Sequence, residues 1–153
     1  MNITNILSQE AVLDDLKSRQ KMDVIVEMVG IIKSMNKIQN SDQVVKDLMA
    51  RESLGSTGIG YGVAIPHAKT DVTDLVALLG RSKLGVDFDS LDGIPVKLFF
   101  LLLTPKNSTG QHLKALARIS NLLKDKLFRQ ELLEAEDSGA IYKIIKRENN
   151  STH

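Results

Sequence analysis

The residues of this chain best suited to chemistry are two histidines and an arginine: His67, His112 and Arg51. A neutral imidazole nitrogen is a competent nucleophile near pH 7, because the ring titrates close by. His67 stands on a stiff stem, since Pro66 before it has a fixed φ. His112 falls where a helix is expected to begin. The positive end of the helix dipole disfavours imidazolium there, so the ring would stay neutral and donate to a bound anion. Arg51 falls just before a glycine-rich loop, and a guanidinium suits a planar, bidentate grip on phosphate oxygens. Each of the three also has a plainer reading, as a structural or surface histidine or as a solvated charge at a helix C-terminus. The third histidine, His153, is terminal, and two histidines do not make a zinc site. Cys is absent, which removes disulfides, thiolate catalysis and cysteine-ligated metals.

Between Arg51 and His67 runs "GSTGIGYGVAIP", residues 55–66. Glycine admits positive φ and removes side-chain bulk. Successive N–H groups in such a run can converge on an anion. Thr57, Gly58, Gly60 and Gly62 fit that description, with the hydroxyls of Ser56 and Thr57 as extra donors; a flexible surface loop fits it too. The spacing is neither a P-loop nor a dinucleotide fingerprint, because Tyr61 follows Gly60 and G-x-G-x-G is not G-x-G-x-x-G.

The elements that must hold these residues follow from apolar spacing. Val24, Ile25, Met28, Ile31, Ile32 and Met35 predict a helix over 20–35 with one buried stripe. Ser41 reads as the N-cap of a second helix ending near Glu52, with Val44, Val45, Leu48 and Met49 inward. Strands are expected at 11–16, 75–84 and 95–105, the last nearly continuous in apolar residues and so suited to cover on both faces. Asn107, Ser108 or Thr109 would cap a third helix carrying Leu113, Leu116, Ala117, Ile119, Leu122 and Leu123. Shorter helices are expected over 127–135 and 137–146, followed by a frayed polar tail. Helices before and after the strands predict helices on both faces of a small sheet.

Bulk properties bound the rest. The length of 153 residues suits one domain, with 42% apolar and 25% charged residues. A net charge of +1 and 4% aromatics give no footprint for nucleic acid. The longest apolar run, 98–103, is far short of a membrane span, and the N-terminus lacks a signal peptide's pattern, so a cytoplasmic location is expected.

The stretch "RESLGSTGIGYGVAIPHA" (51–68) resembles the active-site segment of phosphotransferase-system IIA domains of the fructose/mannitol type, a class that includes a nitrogen-regulatory branch. In that pattern an acidic or amide residue, here Glu52, precedes a glycine-bearing loop. The loop ends in apolar-Ala-apolar-Pro-His and a small residue, here Val63 to Ala68. The segments "GVDFDSLDGIPVKLFFLLLTP" and "GQHLKALARISNLLKDKLFRQELL" are similar to the family's later blocks. The likeness runs from about Met1 to Lys146, giving a domain over 1–147 and a flexible tail over 148–153. Tyr61 departs from the pattern, where a polar or charged residue is commoner between the two glycines.

The resemblance implies an α/β sandwich with a mixed sheet flanked by helices. It implies that His67 takes a phosphoryl group on Nε2 from HPr or a relative, with no cofactor, and that His112 and Arg51 complete the active site. Arg51 and the N–H groups of Thr57 and Gly58 would supply positive potential. The implied acceptor is a IIB domain or a regulatory target protein. Ile59 and Tyr61 are candidates for docking, whereas Val63 reads better as core. A non-catalytic binding module on the same fold is the alternative.

Overall fold

The computed structural model describes residues 2–108 and 110–151. Strands β5 (Val76–Val86) and β6 (Val96–Pro105) pair antiparallel at the centre of a six-stranded mixed sheet. β1 (Val12–Leu13) runs parallel to β5. On the far side, β3 (Val63–Ala64) and β4 (His67–Thr70) run parallel to β6, and β2 (Gly58–Gly60) closes that edge antiparallel to β3.

β6 shows why its run is so apolar. Phe99, Leu101 and Leu103 enter one buried cluster, and Leu98, Phe100 and Leu102 enter another on the opposite face. Helices α1 (Lys21–Ser34) and α2 (Ser41–Ser53) cover the first face with Val24, Ile25, Met28, Ile32, Val44 and Leu48. Helices α3 (Gly110–Lys124), α4 (Lys126–Glu134) and α5 (Ser138–Ser151) cover the second with Ala115, Ile119, Leu123, Phe128, Leu132 and Ile145. Helices of this length are marginal alone, so burial of these stripes holds them, at about 1.5–3 kcal/mol per large aliphatic side chain. The expected sandwich, with helices on both faces of a mixed sheet, is what forms.

Several local expectations are corrected. The second helix is capped by Asn40, not Ser41: Asn40 Oδ1 accepts from the Gln43 N–H at 3.1 Å. Asn40 precedes the helix and its carboxamide reaches the third N–H beyond it, the usual capping offset. Asp125 caps α4 in the same way. α5 runs on to Ser151, through residues expected to be tail. The candidate cap Thr109 and the terminal His153 lie outside the described residues. Much of the stretch expected as loop, 55–69, instead folds into β2, β3 and most of β4. The polar end of β5 also holds a surprise. Arg81 is buried and donates from Nε to the Asp14 carbonyl at 2.9 Å and from Nη1 to those of Leu132 and Ala135 at 2.9 and 2.6 Å. It thereby satisfies carbonyls that a helix C-terminus leaves unpaired and ties α4 to the sheet.

Candidate active site

β3 and β4 are one strand with a two-residue break. Val63 and Ala64 pair with Leu98 and Phe99, and His67 and Ala68 resume with Leu102 and Leu103 at the same offset. The break is Ile65–Pro66. Pro66 has no N–H to give a ladder, and the Ile65 N–H donates away from β6, to the carbonyl of Thr57 beside β2 at 3.0 Å. The Pro66 carbonyl still accepts from the Leu102 N–H at 2.9 Å.

This break fixes the imidazole. Nδ1 of His67 lies 2.8 Å from the Ile65 carbonyl oxygen. A carbonyl only accepts, so Nδ1 carries the proton and Nε2 carries the lone pair. The half-buried ring has its pKa held below the ordinary 6.5, chiefly by burial, with the Arg51 cation lowering it further. The Ile65 carbonyl and Glu52 act in the opposite direction but do not reverse the shift. The shift favours the neutral ring near pH 7, with its lone pair on Nε2.

Arg51, in the last turn of α2, donates from Nη1 to the Gly55 carbonyl at 2.8 Å. It and His67 line one open groove with Asp47, Leu54 and Lys69. The guanidinium thus steadies the loop and adds positive charge at the imidazole.

Glu52, next in sequence, points the other way. Its carboxylate is buried and accepts from the Thr57 N–H at 3.1 Å and from the Thr57 hydroxyl. Lys21 Nζ, at the start of α1, pairs with the same carboxylate at 2.9 Å and sits 4.7 Å above the Phe88 ring centre. The main-chain donors expected at Thr57 and Gly58 are accordingly engaged inside the loop. Thr57 gives its N–H to Glu52 and Gly58 gives its own to Ser56 Oγ at 3.0 Å. The anion-cradle expectation for these two amides is corrected, because folding the loop needs them itself.

The remaining glycines serve a hairpin. Tyr61 and Gly62 form the two-residue turn between β2 and β3, with φ of 61° and 75°. Positive φ at both central positions is what a tight hairpin turn demands. Asp92 steadies the turn by accepting from the Tyr61 N–H at 2.9 Å, and Arg129 lies over the Tyr61 ring at 4.9 Å. Ile59 and Tyr61 are exposed and Val63 is buried. Pro66 is buried as well. His112 is the third residue of α3, as expected, and its side chain lies outside the described residues. α3 begins just past the end of β6, the end at which His67 pairs.

The family model described as "Phosphoenolpyruvate-dependent sugar phosphotransferase system, EIIA 2" matches residues 5–148. The chain belongs to this EIIA type 2 family. It is 42% identical over 146 residues to the fructose-specific EIIABC component of Bacillus subtilis, covering 95% of this chain but 23% of that protein. It is 40% identical to the nitrogen regulatory protein of Bradyrhizobium diazoefficiens, covering 95% of both. In fold it matches the crystal structure of the nitrogen regulatory protein IIA-Ntr from Neisseria meningitidis with a TM-score of 0.87 at 33% identity, over 94% of this chain and 98% of the other. Escherichia coli enzyme IIA of the mannitol system, solved in complex with phosphorylated IIB, matches in fold at a TM-score of 0.78 and 18% identity, over 92% and 97%. Among the described residues of this EIIA chain, no helix is long and apolar enough to cross a membrane.

Sequence reasoning about the EIIA site missed two participants. The Ile65 carbonyl was invisible because it acts through a strand break, and Lys21 because it reaches Glu52 from another helix. A basic residue at a predicted helix start carries no mark of such a partner.

Proposed function

We propose that this protein is a phosphohistidine carrier, accepting a phosphoryl group on Nε2 of His67 and passing it on. The observation that carries this reading is the 2.8 Å contact of His67 Nδ1 with the Ile65 carbonyl, which leaves the nucleophilic lone pair on Nε2. In the reaction the Nε2 lone pair attacks phosphorus while the donor's N–P bond breaks, and the donor nitrogen leaves with that electron pair. Nε2 has no proton to lose, so no general base is needed. Nδ1–H stays on the carbonyl before and after transfer, and that hydrogen bond strengthens as the ring gains positive character. Such transfer asks for in-line positioning and charge stabilisation more than covalent machinery. Arg51 supplies positive charge, and His112, at the start of α3, is proposed to donate to a phosphoryl oxygen.

The donor is proposed to be HPr or a relative, and the acceptor a IIB domain or a regulatory target protein. The mannitol-system complex supports the first acceptor and the resemblance to nitrogen regulatory proteins supports the second. Leu54, exposed in the groove, and Ile59 and Tyr61, exposed on the β2–β3 hairpin, suit a small, quickly parting interface. The test is incubation with phosphorylated HPr and mass spectrometry for an acid-labile gain of about 80 Da, one phosphoryl group. His67→Ala should remove it; labelling of His67→Ala equal to the unaltered chain overturns the assignment.

A further inference from the structure

A continuous chain of contacts runs from the start of α1 to the imidazole. Lys21 Nζ is 2.9 Å from Glu52 Oε1, and the Glu52 carboxylate takes both the N–H and the hydroxyl of Thr57. The Thr57 carbonyl takes the Ile65 N–H at 3.0 Å, and the Ile65 carbonyl takes His67 Nδ1–H at 2.8 Å. The two faces of the Ile65 peptide environment are thus fixed from one end by Thr57 and used at the other by the ring. Lys21 is largely buried and Glu52 almost wholly so, with side-chain exposures of 18% and 2%. Asp89, 3.6 Å from Lys21, is the other carboxylate in reach, and it is exposed. The buried charge of Glu52 is therefore matched by Lys21, and a buried carboxylate robbed of its cationic partner recruits water and gives up its aim.

We propose that Lys21 is a positioning residue for phosphoryl transfer: by holding Glu52 on Thr57, it sets the Ile65 carbonyl that selects the reactive tautomer of His67. This rests on the phosphohistidine reading for its biological meaning, but its test is independent of any donor. Nitrogen-15 NMR of the unphosphorylated protein reports directly which ring nitrogen of His67 carries the proton. In the unaltered chain Nδ1 is the protonated one. In Lys21→Met the ratio of Nδ1–H to Nε2–H tautomer should fall about fivefold, the size expected when one hydrogen bond is weakened. Lys21→Arg should restore the ratio, because it restores the charge at Glu52.

Thr57→Val tests the same chain from its middle and leaves α1 untouched. It removes the hydroxyl donor to Glu52 and should shift the ratio in the same direction. If Lys21→Met does not fold, Thr57→Val decides alone. A ratio equal to that of the unaltered chain in either folded variant overturns the proposal. The mass-spectrometric assay is then run separately on the same samples. Failure of the unaltered chain to take phosphoryl sinks the carrier reading and leaves the tautomer result standing, so the two failures are told apart.

Discussion

His67 and Ile65 are bound to each other across a single proline. The ring of one donates at 2.8 Å to the main chain of the other, and this pairing leaves the lone pair of the neutral ring on Nε2. It exists because a strand that would otherwise run straight along β6 is broken at Ile65–Pro66 and resumes in the same register.

The first prediction concerns pH. The folded pKa of His67 lies below the ordinary 6.5, so the folded ring stays neutral at pH values where an unfolded one is charged. The rate of phosphoryl acceptance should fall on acidification with its inflection below pH 6.5. Stability has the same sign: above 6.5 both states are neutral and the group contributes nothing, and as pH falls through 6.5 the unfolded state takes the proton first and the fold is weakened. A rate profile with its inflection above 6.5 contradicts this.

Arg51 is expected to act through charge and through geometry. Arg51→Lys keeps the cation but loses the planar reach to Gly55, and should slow phosphoryl acceptance on the order of tenfold. Arg51→Ala loses both and should slow it on the order of a hundredfold, in line with charge-assisted hydrogen bonds of about 1.5–3 kcal/mol. Stopped-flow transfer from phosphorylated HPr measures both: equal losses would mean that geometry alone matters, and an unimpaired Arg51→Lys that charge alone does.

Gly58 packs against Ser90. A methyl group there would stand 2.2 Å from Ser90 Oγ and 3.1 Å from its Cβ. Gly58→Ala should lose about 1–3 kcal/mol by overpacking, read from denaturant melts. Adding Ser90→Gly should recover most of the loss. Unchanged melts of the single variant would count against the packing seen here.

Asp92 anchors the hairpin turn. Its carboxylate takes the N–H groups of Tyr61 and Ile94, and these bonds, with the Tyr61 amide foremost, hold its pKa below the ordinary 3.8. Its hold on the turn is complete above 3.8 and is lost as pH falls through the lower folded value. The amide shift of Tyr61 should titrate with a midpoint below 3.8, and Asp92→Asn should abolish that titration.

The framework was legible from residues alone because it is written in local periodicity. The three-and-four spacing from Val24 to Ile32 and the apolar run of β6 carry their own folding instructions. The candidate site was legible as a stretch, since His67, Arg51 and Glu52 stand close in sequence, but its arrangement was not. The glycines read as an open cradle, whereas Tyr61 and Gly62 make a hairpin turn and the amides of Thr57 and Gly58 close the loop upon itself. Which of several partners an N–H chooses is decided by contacts distant in sequence, such as Lys21 with Glu52, and no window of neighbouring residues contains that choice.

The segment bearing His67 is clamped to β6 on both sides of its break, and that has a consequence for communication. On the proposed carrier reading, a ring so anchored gains a phosphoryl group, and with it one net negative charge, without room to relocate. Phosphorylated and unphosphorylated forms should then share one outline and differ in surface potential alone. Whatever receives the message must sense sign rather than shape, and added salt should blunt its discrimination.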